Sequence, residues 1–287
     1  MRELTGRTAV VTGAGSGIGR ALALRFAAEG MRLALADIEA DALAATAALL
    51  PDAELLTRAV DVGDEDAVHA FADAAFDRFG AVHVLCNNAG VFGGGQMWTR
   101  PAADFAWVLR VNLWGVLHGA HAFVPRMLAQ DTEGHVVNTC SVSGVFGAPF
   151  SGPYTVSKFA AYAATEVLAH EFALTGAKLR ASALCPGGVA TRIHESGRNR
   201  PGGPVAPSDD QAFVDGLIAD TVAGGIPPAD VADAVVDAIA TGRFLVLTHP
   251  AYAPGLAERG AALAAGRLPG LPDYESRGAD LRDNGPS

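Results

Sequence analysis

The sequence is poor in cysteine, in basic residues and in long apolar runs, and each shortage excludes something. Among 287 residues there are three cysteines, Cys86, Cys140 and Cys185, widely spaced and in no Cys-x-x-Cys pair. An odd, scattered set excludes a disulfide scaffold and fits a reducing compartment. Lys and Arg number 21 against 31 Asp and Glu, and the resulting net charge of −10 argues against the basic face that nucleic acid requires. The opening residues, Met1-Arg2-Glu3-Leu4-Thr5-Gly6-Arg7, lack the apolar stretch of a secretory signal. Uncharged windows such as 139–157 are broken by Gly, Pro and Ser, unlike membrane helices. The expectation is a cytoplasmic protein whose partner is a small molecule, neither nucleic acid nor membrane.

What is present is a regular alternation. With 50% apolar residues the chain has ample material for a core. Short β-rich runs at 8–12, 32–36, 55–61, 82–87, 135–139, 180–185 and 244–248 alternate with stretches of helical spacing. One such stretch is Val68, Phe71, Ala72, Ala75, Phe76 and Phe79. Several strands are almost wholly apolar, as a strand covered by helices on both faces must be. Strand–helix–strand repetition predicts a single α/β, doubly wound Rossmann domain of about seven parallel strands. The domain is expected over residues 1–250, with a Gly-, Pro- and charge-rich loop or lid at 190–225 and an extension at 251–287. That extension holds one helix near 255–265 and otherwise reads as a frayed terminus.

The first strand runs into Gly13-Ala14-Gly15-Ser16-Gly17-Ile18-Gly19 and then a helix. Glycines let backbone N–H groups approach an anion, and the helix N-terminus that follows favours phosphate. The spacing is Gly-x-x-x-Gly-x-Gly over Gly13, Gly17 and Gly19; no Gly-Lys-Ser/Thr follows, so it is not a Walker loop. Asp37 ends the second strand, where a carboxylate accepts from adenosine ribose hydroxyls and repels a 2′-phosphate. No Arg or Lys stands at Ser16 or Ile38, so the expected cofactor is NAD(H) rather than its phosphorylated form. Asp61 and Val62 are candidates for the adenine edge, and Asn88, Ala89 and Gly90 for the turn where strand order reverses.

Tyr154 and Lys158 lie four apart, neighbours on one helix face. A phenol near pH 10 exchanges protons poorly at neutrality, and a nearby ammonium favours the phenolate. A fall of about three units needs about 4 kcal/mol. Tyr154 would then give a proton to a carbonyl oxygen or take one from an alcohol.

Taken in order, 12–19, 87–90, Asn112, Ser141, the Tyr154/Lys158 pair and Pro186-Gly187-x-Val189-x-Thr191 resemble the short-chain dehydrogenase/reductase family over about residues 4–250. That resemblance implies a single Rossmann domain assembled as a homotetramer or homodimer. It also implies that Tyr154 is the acid/base and that Lys158 binds the nicotinamide ribose and lowers the tyrosine pKa. Ser141, thirteen positions before Tyr154, would orient and polarise the substrate oxygen. Asn112 would support a helix kink and a proton-relay water, with Val111 beside it near the cofactor. Residues 186–191, including Pro186, Gly187, Val189 and Thr191, would wrap the nicotinamide carboxamide. Cys140 departs from the usual serine or alanine, Ser143 is a competing hydroxyl, and Gly188 adds slack to the motif.

The substrate pocket is expected under the 190–225 loop, lined by Phe92, Gln96, Ser141, Val142, Phe150, Tyr154, Gly187 and Ile193. Its apolar bias points to a hydrophobic ketone or secondary alcohol, cyclic, aryl or steroid-like. No metal is expected: His118 and His121 lie three apart but lack a third ligand, and read as packed or surface residues. Arg192, Arg198 and Arg200 either touch an anion or are solvated. The competing functions are an NAD-sensing regulator without catalysis, and an epimerase or dehydratase of the extended relatives.

Overall fold

The computed structural model describes residues 1–203 and 208–272. Residues 204–207 of the expected loop and 273–287 of the extension lie outside the described residues. Strands β1 (Thr8–Thr12), β2 (Arg32–Asp37), β3 (Leu55–Ala59), β4 (Val84–Asn87), β5 (Gly134–Thr139), β6 (Leu179–Cys185) and β7 (Leu245–Leu247) form one sheet. Its order is β3-β2-β1-β4-β5-β6-β7 and every pairing is parallel. The helices are α1 (Gly17–Ala28), α2 (Ala40–Ala48), α3 (Glu65–Phe79), α4 (Ala102–Leu109), α5 (Gly115–Ala129), α6 (Gly152–Leu174), α7 (Asp209–Ala223), α8 (Pro228–Thr241) and α9 (Ala253–Ala264).

The apolar runs predicted this burial. All five residues of β1 are buried, and the pleat sends them to opposite faces. Ala9 and Val11 pack with Leu22 and Phe26 of α1 and with Val235 and Ile239 of α8. Val10 packs with Phe71 and Phe76 of α3 and with Phe123 of α5. Each such side chain contributes about 1.5–3 kcal/mol on burial, so the strand is pinned from both sides. Local signals agree: Asp64 caps α3 by accepting from Ala67 N at 3.2 Å.

Strand order reverses at β1, which pairs with β2 on one side and β4 on the other. The chain therefore leaves β1 and β4 in opposite directions and opens a crevice at their C-terminal ends.

One segment differs from expectation. The 190–225 stretch is not one loop: it holds a short turn at Ile193–Asn199 and then α7. Asp209 and Asp210 in the first turn and apolar spacing over Phe213, Val214, Leu217, Ile218 and Val222 outweigh its Gly and Pro content. Between α4 and α5 the helix passes through a π-turn, Arg110–Trp114, centred on Asn112. No described helix is long and apolar enough to cross a membrane.

Candidate active site at the strand ends

The turn after β1 is shaped by close approach. Gly13 has φ +67, and a Cβ there would lie 2.8 Å from Ala89 Cα. A Cβ on Gly19 would collide with the Gly13 carbonyl, so α1 starts tight against the strand it follows. The carbonyls of this turn are drawn away from its mouth. Arg20 Nη2 donates to Gly15 O at 2.5 Å, and Thr46 Oγ1 donates to Ala14 O at 2.9 Å. What remains facing the crevice is the N-terminus of α1, suited to a phosphate.

Thr12 ties this turn to the next. Its hydroxyl accepts from Asn88 N at 3.0 Å and Ala89 N at 3.1 Å, while Asn88 Nδ2 donates to Thr12 O at 3.0 Å. Thr139, ending β5, donates to Asn88 Oδ1 at 3.1 Å. Three strand ends are thus held in one hydrogen-bonded row. On the far side, Asp37 accepts from Gly15 N and Glu39 N, each at 2.8 Å. Asp61 pairs with Arg110 at 2.8 Å.

The row leads to a buried cluster. Lys158 is 2% exposed, and its Nζ donates to Thr139 O at 2.7 Å and lies 5.6 Å from the centre of the Tyr154 ring. The other side of Tyr154 meets Phe92, ring centres 5.1 Å apart. Ser141 is a hydrogen-bond partner of the phenol and accepts from Ser143 N at 3.1 Å. Burial pushes the Tyr154 phenol up to about 12, with Ser141 acting in the opposite direction. Burial also pushes Lys158 down to about 8. The sequence argument had the ammonium lowering the phenol; in the folded chain desolvation outweighs that influence.

Asn112 lies beneath the cluster rather than on the cavity wall. Its side chain accepts from Val91 N at 2.8 Å and donates to Val91 O and Ser157 Oγ, each at 2.9 Å. Ser157 Oγ in turn donates to Tyr154 O at 2.7 Å. The π-turn therefore braces both the Val91–Phe92 segment and the start of α6.

Thr139, Ser141, Tyr154, Lys158 and Phe92 line one continuous cavity of about 1160 Å³. One arm runs past Gly13, Asp37 and Asn88; the other is walled by apolar side chains from Phe92, Val142, Phe150, Ile193 and α7. Tyr154, Ser141 and Lys158 stand where the arms meet.

The family model described as short chain dehydrogenase matches residues 7–201. The chain belongs to the short-chain dehydrogenase/reductase family. A short-chain dehydrogenase/reductase from Burkholderia phymatum, solved in complex with NAD, is 42% identical with a TM-score of 0.92, covering 95% of this chain and 99% of that one. The 1-deoxy-11-beta-hydroxypentalenate dehydrogenase of Streptomyces exfoliatus is 37% identical over 86% of this chain and 84% of its own length. The CLA biosynthesis dehydrogenase/reductase of Lactiplantibacillus plantarum is 30% identical over 90% and 93%.

In this short-chain dehydrogenase/reductase the sequence motifs converge on that cavity. Gly13, Ser16, Gly17, Ile18, Asp37, Asp61, Val62, Asn88, Ala89, Gly90 and Val111 line one arm, and Pro186, Gly187, Val189 and Thr191 line the junction. Gly19 does not reach the cavity; it is buried against Gly13. Gln96 also lies off the wall, its backbone N–H donating to Asp210 at 2.8 Å. The 95–100 segment is drawn outward toward α7, which explains the displacement. Phe150 reaches the wall through a left-handed backbone, φ +58, fixed by Gly95 N donating to Phe150 O at 2.6 Å. Strain of that kind in a non-glycine residue is held by its surroundings.

The three loop arginines are all paired with carboxylates; Arg192 stays solvent-exposed, while Arg198 and Arg200 are partly buried. Arg192 pairs with Glu195 at 2.7 Å, Arg198 with Glu39 at 2.7 Å, and Arg200 with Asp104. His118 is buried beside Val62 O at 2.9 Å, and His121 is an exposed neighbour of Glu65 at 3.8 Å. Sequence reasoning missed the α7 wall, whose apolar spacing was there to be read. It also missed His249 and Tyr252 on the cavity wall; only their position just past the last strand hinted at them.

Proposed function

We propose that this chain is an NAD(H)-dependent oxidoreductase interconverting a neutral, hydrophobic secondary alcohol and its ketone. The observation that carries this reading is the meeting of Tyr154, Ser141 and Lys158 at the junction of the glycine-lined and apolar arms of one cavity. The glycine turn, the α1 N-terminus and the Asn88–Gly90 turn fit a dinucleotide: side chains at Gly13, Gly17 or Gly19 would collide with the neighbouring turns, so bare backbone and a helix N-terminus border the crevice where a pyrophosphate would lie. NAD(H), when bound, supplies or accepts the hydride.

The chain's own groups handle the oxygen. Tyr154 donates its proton to the ketone oxygen, or accepts one from the alcohol. A phenol held up to about 12 by burial stays protonated across the physiological range, which suits the donating role. Ser141 shares the same oxygen and orients it. Lys158, whose Nζ is held by Thr139 O, would bind the nicotinamide ribose. Asn112 keeps the floor of the site in register through Val91 and Ser157, and the relay water implied by the family belongs to this same proposal.

Asp37 at the cavity end and the absence of a basic residue at 16 or 38 favour NAD(H) over NADP(H). The substrate is read as neutral because every arginine lining the cavity already faces a carboxylate. A carboxylate or phosphate on the substrate would find no unpaired arginine there, Lys158 being assigned to the cofactor, and burying it unpaired is costly. The aromatic pair Phe150–Phe213, 5.7 Å between ring centres, and Phe92 suit a cyclic or aryl body. Exposed apolar side chains on the α5–α6 side, Trp114 and Val167 at 49% and 55%, are surface that a second copy would cover, in line with a homodimer or homotetramer. Three free, buried cysteines suit the cytoplasm.

The test is NADH oxidation across a panel of ketones, paired with NAD reduction across alcohols. The expected result is turnover of neutral cyclic or aryl ketones and none of charged analogues. Turnover confined to carboxylate- or phosphate-bearing compounds, or no turnover at all, would overturn the reading.

A further inference from the structure

The Pro186–Val189 turn carries two consecutive glycines, Gly187 and Gly188, and such a pair loses much conformational freedom when fixed. Three contacts hold most of it. Val142 N donates to Pro186 O at 3.0 Å, Ile226 N donates to Gly188 O at 3.0 Å, and Ala190 N donates to Ile226 O at 2.9 Å. None of these engages the N–H of Gly187, the group in the middle of the turn.

That group is met by a side chain from beyond the last strand. His249 follows β7 and is 3% exposed. Its Nδ1 accepts from Gly187 N at 3.3 Å and lies 2.8 Å from the Thr248 hydroxyl. Nδ1 as acceptor from Gly187 N defines the neutral Nε2–H form, because an imidazole protonated at both nitrogens accepts nothing. The ring lies flat against the turn: a Cβ on Gly187 would sit 2.9–3.0 Å from it. Tyr252 backs the ring at 6.2 Å and itself stands 6.0 Å from Phe146.

We infer that His249 is a positioning residue: by accepting from the Gly187 N–H with its ring packed against the turn, it fixes the glycine turn that receives the nicotinamide end of the cofactor. The inference rests on the proposed NAD(H) reading. It assigns the segment after β7 a part in cofactor binding, not merely in closing the fold. Gly187 being glycine then has a second reason, since any side chain would push the ring away.

The test measures steady-state kinetics and direct NADH binding by fluorescence in the wild type, His249→Ala, His249→Phe and His249→Asn. Ala removes the hydrogen bond and the ring, Phe keeps a ring of similar outline without the bond, and Asn returns an acceptor near the Nδ1 position. Losing the hydrogen bond to a buried backbone turn should raise the NADH KM and Kd about tenfold in Ala and Phe. The ketone KM should stay within about threefold, and Asn should recover most of the NADH affinity. If the Ala variant does not fold, Phe against Asn makes the same comparison. Wild-type NADH affinity in the Phe variant, a change confined to the ketone KM, or Asn no better than Phe would each overturn the inference. A wild type that neither binds nor oxidises NADH would instead defeat the functional reading beneath it.

Discussion

The two arms of the cavity are built on different principles. The dinucleotide arm is made of backbone: glycines at 13, 17 and 19, the Asn88–Gly90 turn and the ends of β1, β2 and β4, fastened by Thr12 and Thr139. The substrate arm is made of side chains: Phe92, Phe150, Ile193, the α7 stripe and Tyr252. Backbone recognition tolerates few residue types and leaves a sharp pattern in the sequence. An apolar wall can be made from many residues, so the same kind of pocket leaves only a periodicity.

Substitutions that strike the two arms should separate them. The largest effect is expected from Gly19→Ala. Its Cβ would be forced into the Gly13 carbonyl, distorting the phosphate end of the site. NADH affinity, read by fluorescence titration, should fall by about a hundredfold, equivalent to about 2.7 kcal/mol. An unchanged Kd would break the claim that backbone packing shapes this arm.

Asp37→Ser should come next. Removing the carboxylate loses the two backbone hydrogen bonds it accepts and its repulsion of a 2′-phosphate. The ratio of kcat/KM for NADH over NADPH should drop about tenfold; a constant ratio would assign Asp37 to turn structure alone.

A pH profile probes the junction. Lys158 is held down to about 8, below its ordinary value, so its ammonium is lost as pH rises through about 8 and is complete well below it. NADH affinity that depends on that charge should be highest near neutrality and decline above about pH 8. The Lys158→Arg variant, charged throughout, should show no decline in the same range. A wild-type affinity flat to pH 10 would contradict the assignment.

The smallest effect belongs to the substrate wall. Phe213 is 61% exposed, so its truncation to Ala removes little buried area. The KM for a bulky aryl ketone should rise about threefold while NADH kinetics stay put. Any shift in NADH KM would show that the arms are less separate than their construction suggests.

The same contrast explains what was legible beforehand. The central strands announced themselves because they are buried on both faces and hence largely apolar, as Ala9, Val10 and Val11 illustrate, whereas the edge strand β3 is mostly exposed. Gly13, Asp37, Asn88 and Tyr154 were found because each sits at a strand end or a fixed helical spacing. The 190–225 segment was read as a loop because Gly, Pro and charge dominate its first half, while the Phe213–Val222 stripe lay in its second. Gln96 was placed on the wall by nearness to Phe92, but the tie to Asp210 turns it away. The Arg198–Glu39 pair, 159 residues apart in sequence, has no local signal at all, and the His249 contact has only its place just past the last strand. They are long-range contacts, visible only once the sheet is assembled. The direction of the Tyr154 shift was likewise out of reach, since it depends on how deeply the phenol is buried.

The central claim is that the buried phenol of Tyr154, and not merely the surrounding cleft, carries the proton of the reaction. Tyr154→Phe tests it most directly, because the ring and its packing on Phe92 are kept and only the hydroxyl is lost. Turnover of the best ketone should fall at least about a thousandfold, with NADH still titrating the variant at near wild-type affinity. A variant that binds NADH and reduces that ketone within about tenfold of the wild-type rate would contradict the account.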